Sequence, residues 1–363
     1  MSNLSLPIAD KTNIKDWAFL ELDLKEVSGE AKDTSEHAPT DAKNVIIVRD
    51  GALSTAIADS NISVSTAVDF TPKELNQLTE LNAQKNNSNL YIQIAKNAVI
   101  SEPIYIVYEG EERSLVHRTA ITLETGAEAE IIETFASTSK INANIVGYTK
   151  IDTNAKLKMS VINRLNGKGV VYYHRHTEVS ADAVLETTNF LLHDSNIVFE
   201  DFTHLVGKGA DANVSTVALA DGEQKQNITV RVENLAPRSI GNIVNYGVVK
   251  DDAHLAFNGI GKIHKDMKGV DNQQESRLLN LSLKAQAIAN PFLLIDEGDI
   301  TAGHAASIGQ INPEQVYYLM SRGLSKQEAE KMIVSGFLAP FADIIQDEKL
   351  KEQLLESIEL KLG

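Results

Sequence analysis

The stretches Ser180-Ala-Asp-Ala-Val-Leu185 and Gly209-Ala-Asp-Ala-Asn-Val214 decide the fold, because the pattern they share recurs along the middle of the chain. Each copy has a small or polar turn, then an alanine, then a segment rich in strand-forming residues. Taken as equivalent, the alanines of five copies are 26, 28, 29 and 41 residues apart. These alanines are Ala129, Ala155, Ala183, Ala212 and Ala253.

A repeat of this length predicts an elongated β-structure. Periods of about 20 to 50 residues are typical of solenoids and propellers. Each step is long enough for one coil of several short strands, and small turn residues allow successive coils to stack closely. We therefore predict a mainly β fold with a β-solenoid core over residues 90–308, and keep a propeller as the alternative.

The residues before the repeats, 1–89, have the pattern of a mixed α/β domain. The run Val45-Ile-Ile-Val-Arg-Asp-Gly51 predicts a strand followed by a tight turn. Thr71 and Pro72 are the residue types of a helix N-cap and of a first helical position. A helix is therefore predicted from Thr71 to about Gln84.

The residues after the repeats, 309–363, have the pattern of a helical domain. A first helix is predicted after the N-cap Asn312, and a second after the capping box Ser325–Glu328. The second is expected to end at Gly336.

A third predicted helix follows Pro340 and carries leucine and isoleucine at helical spacing. This apolar stripe needs a cover, which is either the rest of a small helical domain or a docking partner.

Composition excludes several classes of function. The chain has 363 residues and a net charge of −16, which argues against nucleic acid and against anionic membrane surfaces as partners. It has no cysteine, so disulfides, zinc fingers and cysteine nucleophiles of its own are excluded. No basic segment followed by a long apolar run marks a signal peptide at its start. We expect a cytoplasmic protein.

Three polar motifs have structural interpretations that compete with chemical ones. His174 and His176 lie two apart on a predicted strand, so both imidazoles share one face and form a plausible metal pair. No third ligand has suitable spacing, which favours a packed or solvated pair. Gly259-Ile-Gly-Lys262 resembles a nucleotide loop but is interpreted as a turn between strands. The amides of Asp271–Leu281 are predicted to line the inside of stacked coils.

One histidine stands apart because of its place in the chain. Asn290–Ser307 runs from an apolar segment through acidic residues to a small-residue loop that presents His304. Gly303 and Ala305 leave its imidazole unshielded. A neutral imidazole suits iron and zinc alike. One histidine is not a complete site, so the other ligands would come from elsewhere.

These stretches carry a resemblance to a known family. Asn290–Ser307 together with Glu314–Leu324 resembles the C-terminal core of the SufB/SufD family, scaffold subunits of the SUF iron–sulfur cluster assembly system. Asp271–Leu281 and Gly336–Phe341 also look like that family, and the resemblance is strongest over residues 200–345. Within the family, the chain is most like the SufD branch.

Two features favour the SufD branch. SufB-like proteins carry a cysteine used in cluster assembly, and this chain has none. They also tend to have a glutamate where Ala305 stands. Ala302 occupies a position where some SufD-like chains carry cysteine, so no thiolate is expected from this loop.

The resemblance implies a right-handed parallel β-helix with an N-terminal domain and a C-terminal helical domain. It implies a non-enzymatic subunit that pairs with a SufB-like subunit and docks a SufC-like ATPase on its helical tail. It also implies that His304 is a ligand to a transient cluster at the SufB interface, with no cluster stably bound by this chain alone. The residues assigned to partner binding are Tyr317, Tyr318, Met320, Arg322, Phe337, Pro340 and Phe341.

Two other functions stay open at this point. One is a β-helical polysaccharide-acting enzyme, although such proteins are usually secreted. The other is a β-solenoid interaction protein that binds no metal. The sequence does not decide whether the chain forms a homodimer when a SufB-like partner is missing, nor which cluster type is assembled.

Overall fold

The computed structural model describes most of the chain. Its residues are 2–5, 19–22, 34–67, 76–110, 114–137, 139–165, 167, 169–345 and 347–363. The predicted helix start at Thr71 and Pro72 lies outside them. The strands before residue 110 are β1 Ser2–Ser5, β2 Phe19–Leu22, β3 Asn44–Arg49, β4 Ala52–Ile57, β5 Ile62–Ser65, β6 Ser88–Ile94 and β7 Ile104–Gly110.

The longer strands follow without an intervening helix. They are β8 Leu115–Leu123, β9 Glu128–Ser137, β10 Ala143–Ile151, β11 Lys156–Leu165, β12 Val170–Val179, β13 Val184–Leu191, β14 Asn196–Leu205, β15 Asp211–Ala220, β16 Lys225–Asn234, β17 Ile240–Val249, β18 His254–Ile263, β19 Val270–Asn280, β20 Gln286–Ile295 and β21 Ile300–Gly309. The helices are α1 Gln77–Lys85, α2 Pro313–Ser321, α3 Lys326–Ala342 and α4 Glu348–Leu362.

These strands form a parallel β-solenoid, which confirms the predicted mainly β fold and its β-helix core. From β6 to β21, even-numbered strands pair with one another in a 9-stranded sheet that ends in β5. Odd-numbered strands pair in a 10-stranded sheet that ends in β3 and β4. Each coil therefore contains two strands of about ten residues, and the expectation of several short strands per coil was wrong. The inner faces of the sheets enclose one continuous apolar core.

A column of residues in the left-handed conformation precedes the odd-numbered strands from β7 to β19. Their φ angles lie between 54° and 73°, a conformation that glycine, asparagine and aspartate tolerate best. Each residue's N–H donates to the next coil, as Gly126 does to the carbonyl of Thr153 at 3.0 Å. The column consists of Asn97, Gly126, Asn154, Asp182, Gly209, Arg238 and Gly269.

A buried residue follows each of these turns, and most of these residues are alanines, which correct the predicted repeat. The equivalent alanines are Ala127, Ala155, Ala183 and Ala210, which are all fully buried and are 28, 28 and 27 residues apart. The predicted set included Ala129 and Ala212, which lie two residues later inside strands, and Ala253, which precedes a strand of the other sheet. The copies at Ala129 and Ala212 each contain a second alanine two residues earlier. A slip of two residues keeps the same strand face, so the alternating pattern does not reveal it.

The N-terminal region adds antiparallel strands and one helix to the solenoid, as predicted for a mixed α/β unit. The expected turn after β3 is present, with Asp50 and Gly51 at φ 44° and 91°. Helix α1 begins after the N-cap Asn76, whose side chain accepts from the N–H of Thr79. Leu78 packs on the outer face of the 9-stranded sheet.

The C-terminal helices pack against the outer face of the 10-stranded sheet. Leu350, Leu354 and Ile358 of α4 are buried in a cluster with residues of that face. The apolar stripe predicted after Pro340 is thus covered by the chain's own solenoid. Helix α3 continues through Gly336 and Pro340 to Ala342, so the expected stop at Gly336 was wrong. Burial of Val334, Leu338 and Phe341 on the sheet outweighs the low helix propensity of both residues.

Backbone approach between coils predicts very different costs for two glycine substitutions. In Gly207→Ala, the added Cβ would lie 1.9 Å from the backbone nitrogen of Ala181, so the coils must separate locally. We expect a loss of about 2–3 kcal/mol in the free energy of unfolding. Gly222→Ala is the matched control, since its Cβ meets no atom within 4 Å and its positive φ alone costs about 1 kcal/mol. Urea denaturation measures both, and equal losses would contradict the prediction.

Candidate functional site

The solenoid ends in two unpaired strand edges. Strands β20 and β21 are the last members of their sheets, and no strand among the described residues covers their outer sides. Their side chains are exposed or half-buried, in contrast to the buried coils before them. Leu294 is 50% exposed, Ile295 41% and Ile308 47%. A row of free backbone groups beside apolar side chains is a template for another strand.

His304 lies in this open end. It belongs to strand β21 and is paired with Gln274 of β19, so the predicted loop is in fact a strand. Gly303 and Ala305 are poor strand formers, but the ladder with β19 extends over the whole segment. The imidazole is exposed, as expected from its small neighbours. His304 therefore stands on an edge rather than in a turn.

The last buried layer beneath His304 is polar. Side chains alternate along a strand, so His304 continues the inward column that contains the buried Gln274. The Gln274 amide nitrogen donates to the carbonyl of Phe292 in β20 at 2.8 Å. Asn272, also buried, donates to Asn234 at 2.8 Å. The predicted inward amides of Asp271–Leu281 are thereby confirmed for these two residues.

Two glycines make room for these amides. Gly259 and Gly261 lie in β18, so the predicted turn was wrong. A Cβ on Gly261 would lie 2.3 Å from the Asn272 oxygen, and one on Gly259 would lie 2.9 Å from the Gln274 oxygen. The sequence contained a usable signal, because two glycines two apart place both missing side chains on one face of a strand.

No complete metal site is present in the part of the chain that the structure describes. Within it, no group of three or more histidine, aspartate or glutamate side chains has the arrangement that holds an ion. His304 could supply one imidazole nitrogen to a metal at the open end. Other ligands would have to come from a second chain.

The His174 and His176 pair is packed into the outer face of the 9-stranded sheet. His174 is fully buried, and its Nδ1 lies 3.1 Å from a Glu200 oxygen. The rings of His176 and His204 are 4.4 Å apart. Burial, reinforced by the neighbouring His176, lowers the pKa of His204 to about 4. These contacts agree with the structural interpretation of the pair.

The first part of the helical tail presents an exposed surface. Tyr317 is 75% exposed, Tyr318 56% and Met320 45%, and Arg322 lies over the Tyr318 ring at 5.2 Å. A groove of about 460 Å³ runs beside this helix, and Leu283 at its rim is 93% exposed. Among the described residues, helix α2 buries no side chain.

The second part of the assigned partner surface faces the chain's own body. The rings of Phe337 and Phe341 lie 4.9 and 4.7 Å from Tyr246 of β17. Phe341 is buried, whereas Pro340 is exposed. Phe341 therefore fixes α3 to the sheet and offers little surface to another protein. Among the described residues, no helix has both the length and the apolar character needed to cross a membrane.

Comparison with known proteins agrees with this architecture. Residues 106–337 match the family described as "SUF system FeS cluster assembly, SufBD core domain". The chain belongs to the SufBD family. It is 32% identical to the iron–sulfur cluster assembly protein SufD of Bacillus subtilis, over 99% of this chain and 91% of that protein. It is 25% identical to SufD of Escherichia coli, over 78% and 69% of the two chains.

A third relative is named only at family level. The chain is 25% identical to an iron–sulfur cluster assembly SufBD family protein of Staphylococcus saprophyticus, over 74% of this chain and 59% of that protein. The 32% identity with SufD of Bacillus subtilis, over nearly the whole of both chains, confirms that this member of the SufBD family is SufD-like.

Truncating a side chain should affect stability very differently in the two parts of the assigned partner surface. Phe341→Ala removes a buried ring, so we expect the free energy of unfolding to fall by about 3 kcal/mol. Tyr317→Ala, the matched aromatic truncation at an exposed site, should change it by less than about 0.5 kcal/mol. Urea denaturation of the isolated chain checks both, and a stable Phe341→Ala variant would contradict the packing described.

Proposed function

We propose that this protein is a non-enzymatic scaffold subunit for iron–sulfur cluster assembly, acting in the cytoplasm with a SufB-like subunit and a SufC-like ATPase. The observation that carries the proposal is the open end of the solenoid, where two free edges and His304 occur together. Membership of the SufBD family and the names of its SufD relatives support it.

The partner subunit would pair its own strands with β20 and β21. Backbone pairing would satisfy the free N–H and carbonyl groups, and the partner would cover Leu294, Ile295 and Ile308. Both edges belong to one rigid body, so a partner that binds both is fixed in orientation. In the absence of that partner, the same edges offer a surface for a second copy of this chain.

The nascent cluster is cargo in this proposal, held at the seam between subunits. His304 would offer an imidazole nitrogen to iron. The chain has no cysteine, so the thiolates would come from the partner. With the ligands divided in this way, neither subunit has a complete cluster site. Release of the cluster would then depend on opening the seam between the subunits.

The ATPase would bind the exposed surface of α2. Tyr317, Tyr318 and Met320 supply the aromatic and apolar contacts that protein interfaces favour. Helix α2 directly follows β21, and α3 continues from it to the sheet. Motion of the ATPase would therefore reach the seam through residues 310–363.

Anaerobic reconstitution tests the role of His304. With SufB-like and SufC-like partners present, His304→Ala should retain the assembled cluster at least tenfold more weakly, because an iron ligand is lost. Iron and sulfide content per complex is the measurement. His37→Ala is the matched control, a partly exposed histidine beside β3 and β7, at the opposite end of the 10-stranded sheet from β21.

The outcomes separate the alternatives. Equal iron and sulfide in the wild type and in His304→Ala, with complex formation intact, would favour a metal-free interaction protein. Cleavage of polysaccharide by the isolated chain would favour the enzymatic alternative.

A charge placed on the edge tests the pairing. Ile308→Asp would bury an unpaired carboxylate under the partner, so we expect roughly 100-fold weaker binding of the SufB-like subunit. The control Leu360→Asp introduces the same charge on α4, at a side chain that is 81% exposed. Binding is measured by calorimetry or surface plasmon resonance. Unchanged affinity in Ile308→Asp would place the partner elsewhere.

A further inference from the structure

The last turn of α4 is held by a buried lysine that contacts two turns of the solenoid. The Lys361 ammonium donates to the His193 carbonyl and to the Asp194 carboxylate, both at 3.0 Å. It also contacts the Asp221 carboxylate and the Gln224 side-chain oxygen. Four oxygens thus surround one cation. Asp194 follows β13 and Asp221 follows β15, so a single side chain bridges successive coils.

Further polar contacts connect this turn to its surroundings. The Lys250 ammonium, in the turn after β17, donates to the Lys361 carbonyl at 2.9 Å. The Gln327 amide of α3 donates to the carbonyl of Gly363. The end of α4 therefore links three turns of the solenoid to the start of α3. Loss of the Lys361 contact would therefore also weaken this link to the start of α3.

The apolar stripe of α4 and this polar contact hold different parts of the helix. Leu350, Leu354 and Ile358 are buried on the sheet, whereas Leu360 is 81% exposed. Leu362 of the final turn is also buried in the same apolar cluster, so this turn has an apolar contact beside the polar contacts of Lys361. The ion cluster accordingly adds the charge-dependent part of this turn's attachment.

Solvent reaches the carboxylates of the cluster. The side chains of Asp194 and Asp221 are 49% and 27% exposed, while that of Lys361 is 7% exposed. A cavity of about 340 Å³ is lined by the same Asp194, Asp221 and Gln224. Salt ions can therefore screen the carboxylates while the sheet beneath stays intact.

We propose that Lys361, Asp194 and Asp221 form a releasable ionic latch that sets how firmly the C-terminal helices are attached to the solenoid. With the latch closed, α3 and α4 move with the coils as one body. With it open, the end of α4 and its link to α3 become mobile, while the apolar stripe keeps the helix on the sheet. If the proposed ATPase binds α2, the latch controls how much of its motion reaches the seam. Only this last consequence rests on the proposed function.

Hydrogen–deuterium exchange of the isolated full chain tests the latch without any partner. We expect amides of the last turn of α4 to exchange roughly tenfold faster in Lys361→Met, because hydrogen bonds to a charged group are lost. Strands β15 to β17 should exchange as in the wild type. Lys361→Arg should restore part of the protection, since it keeps the charge. Lys349→Met, on the exposed face of α4, is the matched control and should have no effect.

Salt separates a latch from a static structural contact. Raising the sodium chloride concentration should accelerate exchange of the last turn in the wild type and leave Lys361→Met unchanged. Wild-type exchange that is insensitive to salt would overturn the proposal. So would equal exchange in Lys361→Met and the wild type, or acceleration that spreads through the strands. None of these results depends on cluster assembly, so failure of the latch is distinguishable from failure of the scaffold proposal.

Discussion

The structure depends on hydrogen bonding that passes from coil to coil without interruption at the turns. In a parallel sheet each strand must reach its neighbour by a crossover. Here the crossover is a strand of the other sheet, and the turns beside it also join the ladder. A left-handed residue such as Asn154 or Asp182 aims its N–H at the next coil, and the alanine that follows it fits into the closed corner.

A structure that grows by stacking has ends, and its two ends differ. At the N-terminal end, β4 and β5 pair antiparallel with the sheets, are short, and turn mostly polar side chains to solvent. At the other end, β20 and β21 are ten residues long, and β21 carries a run of small residues around His304. Short edges are a common protection against unwanted pairing. The longer C-terminal edges lack that protection, as the proposed pairing with a partner subunit would require.

The sequence predicted the type of each region better than its register or its contacts. Strand content, the solenoid, the Asp50-Gly51 turn and the helical tail depend on local patterns, and the structure contains all of them. The position of the repeat failed at Ala129 because a slip of two residues leaves every side chain on the same face. His304 was predicted in a loop because the pairing that makes β21 a strand is supplied by β19, 30 residues earlier in register. Local strand propensity does not predict pairing with a strand so distant in sequence.

The helical tail shows why contacts were harder to predict than elements. The pattern of an amphipathic helix predicts that its apolar face is covered, but it does not predict which surface covers it. The apolar stripe of α4 packs on the outer face of the solenoid. Helix α2, which buries none of its described side chains, lies in the chain between the open edge β21 and the packed helices. The free energy of apolar packing grows with the buried area. The Lys361 contact depends instead on charge and on the geometry of a few atoms. The tail thus combines an apolar attachment with an ionic one. In the proposed scaffold, that combination would let the protein stay folded while the coupling between its proposed partner surfaces changes.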